Sequence, residues 1–237
     1  MRSSALRADA LRFTLITGNS PGNDTRFSAD KVEAARNFAN KIWNASRFVL
    51  MNLEVENTAL PPLSQLEPED KWILSKMNRL VEEVTENLES YDLGVALSKL
   101  YDFFWDSFCD WYIELCKARL FAEDDNPQAK LTAQSVLAHV LFVALRLLHP
   151  FMPFVTEKIW QYLPGCEGSI MMADWPKEDM GWRFEAEEKG HWADDGPHPC
   201  GAQHPGRDEG AGWPEEPPAG GDGGRLRAPG DGKRRLH

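Results

Sequence analysis

The 237-residue sequence predicts an all-α fold: an antiparallel helical bundle with a disordered C-terminal tail. Four long segments repeat apolar residues at three- and four-residue steps, the spacing that lines one face of a helix. Two-residue alternation, which would mark half-buried strands, is almost missing. From residue 182 onward the apolar period disappears. That stretch holds twelve of the 18 glycines and seven of the 16 prolines, a composition that cannot build a core. Long helices joined by modest loops, with no internal repeat, settle as a bundle.

The first helix is expected from Ser28, a suitable N-cap, to about Leu53, with Val32, Ala35, Ala39, Ile42, Ser46, Val49 and Leu53 on its inner face. A loop from Pro61 to Pro68 leads to the second, which carries Ile73, Met77, Leu80, Val84 and Leu88 inward and acidic residues in its first turn, where the helix dipole favours them. The third runs from Asp92, another candidate N-cap, to about Leu120. A constant helical period turns its Leu100, Phe104, Phe108, Trp111 and Leu115 inward. The fourth spans about Leu131 to His149 and stops at the HPFMP step, because Pro150 and Pro153 cannot donate and clash with a continuing helix. A short helix from Phe154 to Leu163 and an extended strap from Ser169 to Trp175 complete the pattern. The division that follows is a connector over 1–27, the bundle over 28–181 and the tail over 182–237.

A hydrophobic content of 42% supports a sizeable core. Cys109, Cys116, Cys166 and Cys200 form no CxxC pair, which points to a reducing intracellular compartment, and hence to the cytoplasm. Cys109 and Cys116 stand about 10 Å apart along one helix, too far for a disulfide, and are expected as core thiols. Met1 to Ala10 lacks the apolar run of a signal peptide. The most hydrophobic stretch, Val136 to Val155, is interrupted by His139, Arg146, His149, Pro150 and Pro153, which argues for a buried helix against a membrane span. The net charge of −11 is the opposite of a broad nucleic-acid footprint. Any RNA site must then be a local basic stripe on an acidic body.

Four blocks carry a family resemblance: TGNSPGND at Thr17–Asp24, NFANKIWNASRFV at Asn37–Val49, FCDWYIELCKARL at Phe108–Leu120 and LRLLHPFMPFVTEKIW at Leu145–Trp160. In this order, over about Ala8 to Pro176, the chain resembles the part of bacterial-type valyl-tRNA synthetases where the catalytic domain passes into the anticodon-binding bundle. The first block is the most particular to the valine enzymes; the others are shared more loosely with the isoleucine, leucine and methionine enzymes, so the isoleucine enzyme stays open as an alternative. The resemblance implies an anticodon-binding bundle of the class I aminoacyl-tRNA synthetase type. It implies the anticodon arm of the valine tRNA and the catalytic domain as partners, with neither membrane nor DNA, and residues 1–27 as a remnant of the stem-contact connector. The parent reaction, joining valine to its tRNA, would use ATP and Mg. Neither a HIGH-type nor a KMSKS-type signature occurs in the 237 residues, so no cofactor is expected in this chain and by itself it is not expected to aminoacylate. Shifted by one base, Asp195 to Gly206 is compatible with MDPIRAVRNIRA, similar to a stretch the family shows after its Trp-Pro step, so the tail is read as frameshifted. A stand-alone tRNA-binding module and a non-functional frameshifted fragment are the competing readings.

Within that frame, Arg36, Asn40, Asn44 and Arg47 fall within roughly 80° of arc on the first helix. They offer two guanidinium forks for phosphates and two amides able to read base edges. The same residue types at a core margin also bond to neighbouring helix ends. Lys117 and Arg119 close the third helix, where cations suit the dipole as well as they suit RNA. Asp110 is expected to pair with an Arg or Trp of another helix, and His149 to cap the fourth. Glu82, Glu83 and Glu86 read as a solvated face. His191, His198, Cys200 and His204 lack standard zinc spacing, so no metal site and no catalytic residue is expected.

Overall fold

A computed structural model of the chain describes residues 2–17, 27–122 and 126–188, all within one compact unit, Met1–Asp195. The described residues contain helices and no strand. Residues 18–24 of the TGNSPGND block and 189–237, with His191, His198, Cys200 and His204, lie outside them.

Helix α1, Arg2–Ile16, packs on α2, Ala29–Met51, as a hairpin in which Phe13 meets Phe38 at 5.1 Å and Thr14 Oγ1 donates to the Lys31 carbonyl. The sequence predicts only a connector over the stretch of α1. Ser28 does sit at the N-cap of α2 with extended backbone, although its side chain makes no capping bond. The inner face of α2 is Ala35, Phe38, Ala39, Ile42, Ser46 and Val49.

Helix α3, Pro68–Glu89, begins with a proline at its first position, where a missing donor costs nothing. It ends in a Schellman turn: Asp92 N donates to Asn87 O and Tyr91 N to Leu88 O, with Tyr91 in the left-handed region at φ 61°. That turn reverses the chain into α4, Leu93–Asp102, which continues without a break through a π-helical segment, Phe103–Tyr112, into α5, Ile113–Leu120. The buried positions run Leu97, Leu100, Phe104, Phe108, Tyr112, Cys116 and Leu120. Steps of four would drift about 40° per step in a regular α-helix. The wider π turns absorb the drift. Trp111 and Leu115, expected inward, are therefore only half-buried, and their C-terminal neighbours Tyr112 and Cys116 take the core.

Helix α6, Pro127–Leu148, starts four residues before the sequence reading, because Asn126 caps it by accepting from Ala129 N. It is long and apolar enough to cross a membrane, yet Val136, Leu137, Leu141, Leu145 and Leu148 are fully enclosed, so it is the core helix of the bundle. Helix α7, Pro153–Trp160, follows the HPFMP step. The expected strap from Ser169 instead opens with a 3-10 turn, Ile170–Met172. Beyond it, residues 182–188, read from composition as tail, lie along α3 and end in a single helical turn, α8, Glu185–Glu188.

Candidate nucleic-acid interface

The exposed side of α2 is the surface with the right chemistry. An amphipathic period leaves one face for the core, and the residues about half a turn away must face water. Arg36, Asn44 and Arg47 stand exposed there, with Asn40 half-buried between them. Arg36 touches Glu33 at 3.4 Å, a water-exposed pair that leaves its guanidinium open to exchange partners. Among the described residues Arg47 makes no ion pair. The stripe thus joins two charged forks and two amides on one rigid helix.

The other two candidate cations are placed differently. Lys117 Nζ lies 2.6 Å from Glu114 and 5.6 Å from the centre of the Phe48 ring, the residue next to Arg47, so it borders the α2 surface while partly neutralised. Arg119 is turned away toward α3. Its two terminal nitrogens donate to Asp70 at 2.6 and 2.7 Å, and Tyr112 donates to the same carboxylate at 2.6 Å. Asp70 also accepts from Glu67 N at 3.1 Å, capping α3, and is fully enclosed. Burial raises the Tyr112 pKa well above its ordinary value and pushes the Cys116 thiol up to about 12, so both stay protonated around this ion pair.

Along the other flank of α2, Lys41 lies 3.7 Å above the Trp105 ring and 2.8 Å from Asp110. Asp110 therefore pairs with a lysine, where an Arg or Trp was expected, and remains 45% exposed. Trp105 stacks on Tyr101 at 5.4 Å with planes 17° apart, and on Phe38 at 6.5 Å. Cys109 beside it is held up to about 12 by burial, an inert thiol. Nothing in the sequence pairs Lys41 with Trp105, since the two are joined only by packing.

Two residues of α1 hold the segment after α6 in place. Asp9 of α1 accepts from Phe154 N at 3.2 Å and Val155 N at 2.7 Å, capping α7 from far along the chain. Arg12 donates to the carbonyls of Phe151 and Pro150, freed by the two prolines. The spacing Asp9, Arg12 at one turn was the available signal, but its partner could not be read. His149 caps α6 as expected, and its Nδ1 donates to Thr156 Oγ1 at 2.7 Å, because that hydroxyl's own proton goes to the Met152 carbonyl. Glu82 and Glu83 are not simply solvated: the first pairs with Arg183, the second with Lys99 at 3.0 Å. The described residues contain no cluster able to hold a metal ion.

Comparison with known proteins gives the surface its context. Residues 70–195 match the family of the anticodon-binding domain of tRNA ligase. The chain is 54% identical over 182 residues to the valine–tRNA ligase of Clostridium acetobutylicum, covering 76% of this chain and 20% of that protein. It is 55% identical over 171 residues to the valine–tRNA ligase of Listeria monocytogenes, covering 72% and 19%. The chain therefore spans about a fifth of the length of these curated relatives. Among solved structures, the LeuRS–tRNA–LeuAMS ternary complex of Agrobacterium radiobacter contains a similar fold, with a TM-score of 0.58 over 75% of this chain and 20% of that one, at 20% identity.

Proposed function

Because this chain belongs to the anticodon-binding domain family of tRNA ligases, we propose that it binds the anticodon arm of a tRNA, and that the tRNA is the valine acceptor. The observation that carries the reading is the stripe on α2 formed by exposed Arg36, Asn44 and Arg47 with half-buried Asn40. The arginines would hold phosphates and fix the register of the arm, and the amides would meet base edges of an unstacked loop. Lys117 borders that surface and would add to its positive field. Arg119 would act indirectly, by fixing α5 to α3 through Asp70. The ligase reaction itself, with valine, ATP and Mg, would belong to the larger enzyme that the relatives represent.

Binding of the chain to valine and isoleucine tRNAs, with an anticodon-substituted valine tRNA as control, tests this. Preference for the valine tRNA, lost with the anticodon change, is the expected outcome. The double variant Arg36→Ala, Arg47→Ala should weaken binding by about tenfold or more and lower the slope of log affinity against log salt by about 2, one for each phosphate contact removed. Equal binding of all three RNAs, or a double variant that binds like the parent, would refute the assignment.

A further inference from the structure

Residues 174–188 lie across one stripe of α3 whose chemistry differs from the rest of that helix. Lys71, Ser75, Asn78, Glu82 and Thr85 follow one another at steps of four and three, so they form a single line. Every one is polar. The adjoining faces carry Ile73, Met77, Leu80, Val81 and Val84 instead.

The strap meets this line rung by rung. Trp175 Nε1 donates to Thr85 Oγ1 at 2.9 Å. Asn78 and Asp179 exchange two bonds, Nδ2 to the Asp179 carbonyl at 2.9 Å and the Asp179 amide to Oδ1 at 2.8 Å. Arg183 pairs with Glu82 and with Glu178. Phe184 N donates to Ser75 Oγ at 2.8 Å, Glu188 contacts Ser75 and Arg79, and Lys71 stands 3.9 Å from Glu187. Arg146 of α6 adds a bond to the Asp174 carbonyl at 3.0 Å.

Of the strap residues 174–188 only Pro176 is buried; Trp175, Trp182 and Phe184 are half-covered. Ser75 and Asn78 are buried where the strap crosses them, and water can replace the bonds they make to it. A segment with so little buried apolar surface, held by exchangeable polar bonds, has a local opening free energy well below that of the core. Beneath it, a cavity of about 250 Å³ lies between α3 and α6, walled by Leu74, Met77, Val81, Val143, His139 and Arg146.

We infer that residues 174–188 are a releasable strap, zipped to the polar line of α3, which opens as one unit ahead of the bundle and uncovers the groove between α3 and α6. The ion pairs Arg183–Glu82, Arg79–Glu188 and Lys71–Glu187 are the salt-sensitive fasteners. Release leaves the α2 surface in place, so the chain carries a second face that is closed at rest.

Hydrogen–deuterium exchange of the full chain, read by mass spectrometry at 0.1 and 1 M salt, tests the strap. Peptides within 174–188 should exchange together, about a hundredfold or more faster than those of α6, and faster still at high salt. Asn78→Ala should raise exchange in the strap severalfold while α6 peptides and the thermal midpoint of the bundle change little. Arg183→Glu should do the same by a separate fastener, so one poorly folding variant does not decide the matter. Strap peptides as protected as α6, or variants that loosen strap and α6 equally, would overturn the inference.

Discussion

Asp70 shows how much one residue can hold. Its two oxygens cap α3 at Glu67 N, grip Arg119 twice and accept from Tyr112, with no exposure to solvent. Replacing it leaves the Arg119 cation with only its longer ion pair to Glu69, at 3.5 Å, and the buried Tyr112 phenol without its charged acceptor. Asp70→Asn should cost about 3–5 kcal/mol in urea unfolding, because removing one partner of a buried pair leaves the other uncompensated. Combining Asp70→Leu with Arg119→Met should recover much of that loss, since a packed apolar pair has no charge to desolvate. If Asp70→Asn unfolded like the parent, Arg119 would not be the structural clasp described above.

The continuous helix of α4, the π segment and α5 makes the corresponding point for an element. Ten residues in π geometry keep a four-residue core spacing on one side of the rod for more than twenty residues. The extra residue is accommodated locally, so deleting the exposed Asp106 should let the segment relax toward α geometry with both flanks in register. Inserting an alanine at the same place adds a further rotation of about 100° and turns Arg119 off Asp70. Urea melts should stay cooperative for the deletion and broaden or vanish for the insertion. Equal damage by both changes would show that the spacing, not the π geometry, is what the core requires.

Across the whole molecule, two histidines, His149 buried and His139 half-buried, link folding to acidity. Burial lowers the pKa of His139, which donates to the Thr58 carbonyl, and of His149; Arg146 adds to the first effect, while Arg12 lowers and Glu157 raises the second. A base whose folded pKa is depressed binds fewer protons folded than unfolded. Its stabilising contribution is present above the unfolded value of about 6.5 and is lost as pH falls through the folded pKa. Asp9 works in the opposite direction, because burial raises its carboxyl pKa. The difference between variants and parent is therefore the informative quantity. His139→Gln and His149→Gln should each flatten the fall in unfolding free energy between pH 7 and pH 5, and unchanged profiles would remove the histidines from the acid response.

The sequence by itself determined the helical class, the four long segments and the inner faces of α2 and α3, because apolar periodicity is local and each helix reports its own buried side. It also placed Arg36, Asn40, Asn44 and Arg47 on one stripe of α2, which needs only the angle between residues on one helix. The family resemblance was legible too, in four ordered blocks. Tertiary structure decided what depends on other segments: Asp9 capping α7, Asp70 claiming Arg119, Lys41 settling on Trp105 and Asp110. It also decided the one-residue change of phase in the π segment, where the cost of leaving Tyr112 and Cys116 outside the core outweighs regular helix geometry. The strap along α3 is the fullest case. Its residues carry no period of their own and take their place from the polar line they cross, a partner that exists only once the bundle has folded.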